Sequence, residues 1–298
     1  EKGYHGVNFG GTSVGGLTLN RKSFGPLLPG IDHLPHTWSP EDMAFTKGQP
    51  EWGLHLAEDL EKILVLQDPS TVAAVIIEPV TGSGGVIVPP VGYLERIREI
   101  CTKHDVLLIF DEVITGFGRL GDSFAANRFN VRPDIITMAK GLTGAVIPMS
   151  AVAFDTAIYD QLMEGTEAMI ELFHGYTYSG HPVACAAGIA TLDVYQEEGL
   201  FDKAKELEPI FEEALHSLKG LNQIIDIRNI GLMGAVHFGP GRLTAAEFAA
   251  NVFQHCYDND VLLRYSGEFL VLSPPLIATK EHIHQISNAL RNAIKANS

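Results

Sequence analysis

Two stretches decide the fold: Val106-Leu107-Leu108-Ile109-Phe110-Asp111-Glu112-Val113 and Asp134-Ile135-Ile136-Thr137-Met138-Ala139-Lys140-Gly141. In each stretch an apolar run of strand length gives way to polar residues, which is typical of a buried strand. Asp111 follows the first run and Lys140 follows the second. Parallel strands end at one edge of their sheet, and ligands bind at that edge. We therefore expect the carboxylate of Asp111 and the amine of Lys140 to hold a cofactor between them.

The neighbouring sequence repeats a strand–helix–strand pattern. An apolar run at 73–77 ends in Glu78, a helix-like pattern covers 92–104, and the two quoted strands follow. Repeated βαβ units predict a mainly parallel sheet with helices on its faces. Paired strands lie about 4.8 Å apart, so Glu78, Asp111 and Lys140 are expected over one cleft if their strands are neighbours.

The rest of the chain predicts two domains. Residues 1–53 are rich in Gly and Pro and predict long loops with at most one short strand. Further elements are predicted as helices at 56–67, 182–198 and 202–219, after the capping box Thr244-x-x-Glu247 and from Lys280, and as strands within 224–238, at 261–264 and at 269–272. Alternation is less regular after residue 198. We predict a large three-layer α/β/α domain at 1–198 and a small C-terminal α+β domain at 199–298.

Composition narrows the function. The 298 residues include 21 basic and 36 acidic ones, a formal charge of −15, which argues against a nucleic-acid partner. No apolar run approaches the roughly 18 residues of a membrane span. The chain opens on Glu1-Lys2-Gly3 without the pattern of a signal peptide. Cys101, Cys185 and Cys256 lie far apart, which indicates reduced core thiols in a cytoplasmic protein.

Two other motifs favour ordinary structural roles. Gly116-Phe117-Gly118-Arg119-Leu120-Gly121 matches the dinucleotide-binding pattern, but Asp111 to Thr115 separates it from the strand and no acidic residue ends a second strand at the required spacing. His33 and His36 lack a third metal ligand at a suitable spacing, so we interpret them as loop histidines.

Lys140 and Asp111 together indicate a particular cofactor chemistry. A desolvated lysine is a nucleophilic amine suited to Schiff-base formation, although a lone lysine in a loop is often merely solvated. Pyridoxal phosphate needs an amine for its aldehyde carbon and a carboxylate that keeps its ring nitrogen protonated. A strand-end Asp and a strand-end Lys one crossover apart supply this pair.

The residues from Ile109 to Arg119, then Pro133-Asp134 and Ala139-Lys140-Gly141-Leu142, resemble the class III pyridoxal-phosphate aminotransferases, which have fold type I. Phe173-His174-Gly175-Tyr176-Thr177-Tyr178-Ser179-Gly180-His181-Pro182 and Ser273-Pro274-Pro275-Leu276 are most similar to the branch that acts on ω-amino acids (β-alanine) and pyruvate. The similarity covers essentially the whole chain.

The resemblance implies roles around the cofactor. Lys140 would form the Schiff base and then carry the proton between the substrate carbon and the cofactor carbon C4′. Asp111 would pair with the ring nitrogen. Val113 and Tyr4 would cover the two ring faces, although Tyr4 is also compatible with a core aromatic. Glu78 matches an acidic residue near the ring and Asp111.

The resemblance also implies roles at the periphery of the site. Thr177 matches a hydroxyl that reaches the phosphate across a dimer interface, so a homodimer, or a tetramer built from it, is expected. A hydroxyl at a helix N-terminus is the alternative for Thr177. Arg264 matches the arginine that binds the substrate carboxylate, for which a planar fork is suited; a solvated arginine at a strand edge is the alternative.

Two departures from the family pattern qualify the expected function. Relatives acting on ornithine or γ-aminobutyrate carry a Glu where Ser83 stands, and its absence leaves Arg264 available to a carboxylate, as in the pyruvate branch. The family also has on the order of a hundred residues before the position of Tyr4, which include its phosphate-binding loop at a helix N-terminus. We expect amino transfer from an ω-amino acid or amine to pyruvate. A same-fold aminomutase and a truncated, non-catalytic fragment are the alternatives.

Overall fold

The computed structural model describes residues 1–165 and 172–297. Within these ranges the strands are β1 (Ala74–Ile77), β2 (Leu107–Asp111), β3 (Ile135–Met138), β4 (Ala151–Phe154), β5 (Ile224–Ile230), β6 (Met233–Phe238), β7 (Arg264–Ser266) and β8 (Phe269–Leu272). The α-helices are α1 (Phe9–Val14), α2 (Thr18–Ser23), α3 (Pro40–Met43), α4 (Glu58–Gln67), α5 (Tyr93–Lys103), α6 (Ala125–Arg128), α7 (Thr156–Leu162), α8 (Pro182–Glu197), α9 (Leu200–His216), α10 (Ala245–Tyr257) and α11 (Lys280–Ala296). Short 3-10 helices span Leu54–Ala57, Pro69–Thr71 and Lys140–Thr143.

The first sheet has the strand order β1-β2-β3-β4. β1, β2 and β3 run parallel, with Ile77 opposite Phe110 and Asp111 opposite Thr137, and β4 joins β3 in the antiparallel direction. The condition that the three strands are neighbours is therefore met. The sequence did not predict β4, because Ala151-Val152-Ala153-Phe154 is too short and too poor in flanking signals to stand out from a loop.

Helix α5 packs against this sheet and forms part of its apolar core. Leu94, Ile97 and Ile100 recur at helical spacing and are buried with Leu108 and Phe110 of β2 in one apolar cluster. Burying a side chain of this size contributes about 1.5–3 kcal/mol. This packing fixes the direction of β2 and therefore the position of Asp111 at its end.

The outer edge of β1 pairs with no other strand among the described residues. A cavity of about 740 Å³ runs along this edge, lined by residues 71–79 together with parts of the N-terminal segment and α4. His5 and Glu78 also line this cavity, so it reaches the edge of the sheet at which β1 ends.

The second sheet has the order β5-β6-β8-β7, with every pair antiparallel. Helices α9, α10 and α11 bury one face of it around Phe211, Phe238 and Phe248. The predicted capping box is confirmed, since the side chains and backbone groups of Thr244 and Glu247 bond reciprocally at the start of α10. Both sheets fall on the expected sides of residue 198, although the domain boundary itself stays a prediction.

A buried polar cluster joins the N-terminal segment to the second sheet. Asp226 is fully buried and accepts hydrogen bonds from Trp38 Nε1 (2.9 Å), the Phe45 amide (2.6 Å) and Arg228 Nη1 (2.5 Å). Arg228 lies over the Trp38 ring and donates twice, at 3.0 and 2.8 Å, to the carbonyl oxygen of Gly85. The His237 ring packs against Trp38 in a tilted arrangement, with a centroid distance of 4.7 Å.

Three predictions about local structure were wrong. Residues 1–53 contain three short α-helices. In this segment, a single bridge between Lys47 and Asn229 is the pairing with a sheet strand. The helical pattern of α1 is not visible in the sequence because glycines lie within and beside it. Of the strand predicted at 261–264, Arg264 alone belongs to β7. Cys101 and Cys256 are buried as expected, but Cys185 is exposed because it lies on the outward face of α8.

None of the helices within the two described ranges combines the length and apolarity needed to cross a membrane. The same residues contain no cluster of three or more His, Cys, Asp or Glu side chains arranged to hold a metal ion. His33 Nε2 instead lies 3.1 Å from the carbonyl oxygen of Gly15.

Candidate functional site

The ends of β1, β2 and β3 meet at one edge of the first sheet. Glu78 directly follows β1, Asp111 is the last residue of β2, and Lys140 lies two residues beyond the end of β3. Because the three strands are parallel neighbours, the sheet brings these ionisable groups together as the sequence predicted.

The carboxylate of Asp111 is held on both oxygens. His5 Nδ1 lies 2.8 Å from Oδ2, and the Val113 amide donates to Oδ1 at 3.1 Å. The side chains of His5 and Asp111 are only 6% and 8% exposed, so the pair is shielded from water. With its proton on Nδ1 the imidazole donates to the carboxylate and fixes its orientation. A carboxylate oxygen accepts about two hydrogen bonds, so each oxygen retains capacity for a further donor.

Glu78 anchors the N-terminal segment to the strand ends. Its Oε1 accepts from the Tyr4 amide at 2.7 Å, and its Oε2 accepts from the Gly82 amide at 2.9 Å. Burial raises the pKa of Glu78, and these two hydrogen bonds oppose that rise. The bond to Tyr4 brings the predicted stacking residue to the cluster, where the Tyr4 side chain is half-buried.

Lys140 begins the 3-10 helix that follows β3. Its backbone has φ +44°, a left-handed conformation that non-glycine residues rarely adopt. Its side chain is exposed towards a cavity of about 310 Å³. Desolvation lowers the pKa of Lys140, the positive charge of Arg264 lowers it further, and the charges of Glu78 and Asp111 oppose the shift. A lowered pKa increases the fraction of nucleophilic free amine near neutral pH.

Arg264 reaches this cavity from the second sheet. It is the first residue of β7, and its Nη1 donates to Ser83 Oγ at 3.3 Å. The residues that line the cavity include Ser83, Val113, Arg119, Lys140, Tyr195 and Arg264. None of these six side chains carries a carboxylate, so an anionic ligand meets positive charge without competition from the cavity wall.

The structure does not bring Thr177 to the strand ends. It lies in an exposed segment, in which the Tyr176 amide donates to Ser179 Oγ. Tyr176 and Tyr178 on either side are 76% and 78% exposed. The predicted role of Thr177 across an interface between two copies stays a prediction.

Sequence reasoning missed three residues of the site. His5 is separated from Asp111 by 106 positions. The one sequence signal for a contact with the site is its position beside Tyr4 in Gly3-Tyr4-His5-Gly6. Arg119 donates to the carbonyl oxygens of Leu232 and Pro274, and burial lowers its pKa. Tyr195 lies in the last turn of α8, and no sequence motif distinguishes it from an ordinary packed aromatic residue.

The glycine motif at 116–121 forms turns rather than a phosphate-binding loop. Phe117, Gly118 and Gly121 have φ angles of +57°, +86° and +85°. The next helix, α6, begins only at Ala125, so no helix opens at the last glycine. Glu112 supports this segment, because its buried carboxylate accepts from the amides of Ala125 and Ala126.

The residues present fit pyridoxal phosphate. Lys140 offers an accessible amine of lowered pKa beside a cavity, and Asp111 offers a carboxyl group that is fixed on both oxygens and retains acceptor capacity. Val113 lies next to both, since it bonds to Asp111 and lines the cavity.

Comparison with known proteins identifies the family of the chain. The family model described as aminotransferase class-III matches residues 1–294. An omega-aminotransferase of Caulobacter vibrioides is 55% identical over 99% of this chain and 67% of its own length. A beta-alanine–pyruvate aminotransferase of Pseudomonas aeruginosa is 47% identical over 98% of this chain and 66% of its own length. The chain thus spans about two thirds of the curated relatives that it matches.

Solved structures of transaminases share the fold of this chain. The PLP-bound amine transaminase of an uncultivated Pseudomonas species superposes with a TM-score of 0.91 at 37% identity, over 100% of this chain and 69% of that one. A transaminase obtained by ancestral reconstruction gives a TM-score of 0.92 at 33% identity. The predicted α/β fold of fold type I and the predicted family resemblance are both confirmed.

Proposed function

Because the chain belongs to the class III aminotransferase family, we propose that the protein moves an amino group from an ω-amino acid or an amine to pyruvate, with pyridoxal phosphate as cofactor. The observation that carries this proposal is the meeting of Lys140 and Asp111 at the ends of neighbouring parallel strands. When bound, pyridoxal phosphate supplies an aldehyde carbon that takes up the amino group and a protonated ring that withdraws electrons from it. The names of the relatives support the substrate class.

Asp111 would pair with the ring nitrogen of the cofactor. The contacts to His5 and to the Val113 amide fix this carboxylate in position. We assign Val113 and Tyr4 to the two faces of the ring. Glu78 acts through Tyr4, because both of its oxygens already hold backbone amides.

Lys140 would hold the cofactor through its amine and would carry a proton at the substrate carbon. Its lowered pKa supports both tasks, since a free amine is required to attach and to accept a proton near neutral pH. The side chain borders the cavity that the substrate would enter, and this position supports transfer at the substrate carbon.

Arg264 binds the substrate carboxylate. Its one polar side-chain contact, within the described chain, is the neutral hydroxyl of Ser83 at 3.3 Å. A hydroxyl leaves the guanidinium charge uncompensated, so a planar carboxylate gains a charge-assisted, bidentate interaction there. This arrangement supports both pyruvate and an ω-amino acid as substrates.

We further propose that two copies of the protein form the active unit in the cytoplasm, with Thr177 reaching the cofactor of the other copy. The exposure of Thr177 and of the aromatic residues beside it supports this arrangement. Sedimentation of the cofactor-loaded protein tests it, and a monomer with full activity would contradict it.

The cofactor proposal is tested with the variant Lys140→Ala and the surface control Lys62→Ala. Added pyridoxal phosphate should give the native protein and the control a visible absorbance band, and borohydride reduction followed by peptide mass spectrometry should place the label on Lys140. Lys140→Ala should show neither. Label on another lysine, or a band that Lys140→Ala retains, would refute the assignment.

The reaction proposal is tested separately by substrate dependence. With β-alanine as donor, formation of alanine should require pyruvate and should fall to background with Lys140→Ala. Turnover of the amino acid without any keto acid would instead favour an aminomutase.

A further inference from the structure

The backbone at Lys140 is held in an unfavourable conformation. A non-glycine residue at φ +44° is uncommon, and such residues persist only where the surroundings stabilise them. Ala139 before it is extended, with φ −161° and ψ −150°. The chain thus turns sharply between two residues, and this turn decides where the lysine side chain points.

Three hydrogen bonds fasten this turn. Two are local: Leu142 donates to the Ala139 carbonyl at 3.0 Å, and Gly144 donates to the Gly141 carbonyl at 3.3 Å. The third comes from α8, where the hydroxyl of Tyr195 donates to the Gly141 carbonyl at 2.6 Å. It is the shortest of the three, and it ties the residue after Lys140 to an element 54 positions away.

The ring of Tyr195 is itself fixed. It stacks on Phe117 with an interplanar angle of 19° and packs against Phe201 with centroids 5.3 Å apart. Phe117 closes the other side, because a Cβ atom at Gly141 would lie 2.8 Å from Phe117 Cβ. Gly141 is therefore confined between Phe117 and the Tyr195 hydroxyl.

Tyr195 also borders the cavity that Lys140 enters. Burial raises the pKa of Tyr195, so the hydroxyl remains protonated and keeps its donor over the physiological range. Its proton points to the Gly141 carbonyl, which leaves it a fixed structural donor rather than a group that exchanges protons with a ligand.

We propose that Tyr195 is a positioning residue for Lys140: its hydroxyl holds the Gly141 carbonyl and thereby the turn from which the lysine amine reaches the cavity. This inference rests on the proposed role of Lys140 as the residue that carries the cofactor. Without the hydroxyl the aromatic stack remains, but the turn is free to relax and the amine spends less time in its productive position.

The variant Tyr195→Phe tests this inference because it removes one hydroxyl and keeps the ring. The first measurement needs no cofactor: Lys140 is labelled with acetic anhydride at a series of pH values, and its modification is followed by peptide mass spectrometry. In Tyr195→Phe the apparent pKa of Lys140 should rise towards its ordinary value, because a loosened side chain is better solvated. Tyr93→Phe, a buried tyrosine of α5 that does not line this cavity, is the matched control.

The second measurement is steady-state kinetics of the cofactor-loaded protein. We expect kcat to fall about tenfold in Tyr195→Phe, because one well-aligned positioning contact is lost. The KM for the carboxylate substrate should change less than twofold. Phe201→Leu loosens the stack behind Tyr195 and should give a smaller change of the same sign, which keeps the test usable if Tyr195→Phe folds poorly.

The outcomes separate this inference from the proposed function. An unchanged labelling profile and an unchanged kcat in Tyr195→Phe would overturn the role of Tyr195. If the native protein shows no visible band and no borohydride label on Lys140, the proposed function fails, while the labelling comparison still decides whether Tyr195 sets the environment of Lys140.

Discussion

Acidification should destabilise the protein through His237. This imidazole lies in β6 against Trp38 and Phe269, beside the guanidinium of Arg228, with Asp226 and Glu268 as the nearest acidic groups. Burial, followed by the charge of Arg228, lowers the pKa of His237 to about 4 from 6.5. Between these two pH values the unfolded chain binds a proton at His237 and the folded protein does not. The free energy of unfolding therefore falls as the pH falls.

The size of this effect follows from the two pKa values. Lowering the pH from 7 to 5 should remove about 2 kcal/mol of unfolding free energy through His237 alone, at 1.36 kcal/mol per pKa unit. His237→Phe keeps the aromatic contacts and has no proton to bind. Its stability should therefore depend less on pH, by about this amount, whatever its absolute stability at pH 7.

Urea unfolding at pH 7 and pH 5 measures this difference for the native protein, for His237→Phe and for the control His284→Gln. His284 is exposed on α11, so the control should lose as much stability on acidification as the native protein. Equal losses for the native protein and His237→Phe would refute the assignment of acid sensitivity to the buried imidazole.

Three further substitutions test the site. Asp111→Asn should lower kcat by about a hundredfold, because a neutral amide no longer stabilises the protonated ring, and kinetics at saturating cofactor would reveal it; activity within threefold of native would contradict the role of Asp111. His5→Phe should lower kcat about tenfold, because Asp111 Oδ2 loses its partner. The visible absorbance band should remain, but its pH dependence should shift. An unshifted pH dependence of the band would contradict a role for His5 in supporting Asp111. In Ser83→Glu the new carboxylate should pair with Arg264 and raise the KM for pyruvate about tenfold. The KM for an amine donor that lacks a carboxylate should change little. An equal change for both substrates would argue against carboxylate binding by Arg264.

The sequence predicted the strand ends well because their signal is local. Runs such as Val-Leu-Leu-Ile-Phe before Asp111 have one reasonable structure in a soluble α/β protein, and the parallel order then follows from the crossover helices. The capping box at Thr244 was found for the same reason, since its partners are three residues apart.

The parts that sequence could not predict depend on distant contacts. His5 reaches Asp111, Tyr195 reaches Gly141 and Arg228 reaches Gly85, each across at least 54 positions. No local periodicity marks such pairs. The exposure of Cys185 was missed because the composition of α8 is apolar almost all around, which conceals its outward face.

The hydrogen bonds from Arg228 to the Gly85 carbonyl connect the two sheets. The loop at 82–86 follows β1 in the chain, and the Gly82 amide donates to Glu78 at the end of that strand. The same loop is also held from the second sheet, because its carbonyl at Gly85 and its hydroxyl at Ser83 accept hydrogen bonds from arginines of that sheet. A single loop therefore links the buried carboxylate of Glu78 to Arg264, so the position of this arginine relative to Lys140 depends on both sheets.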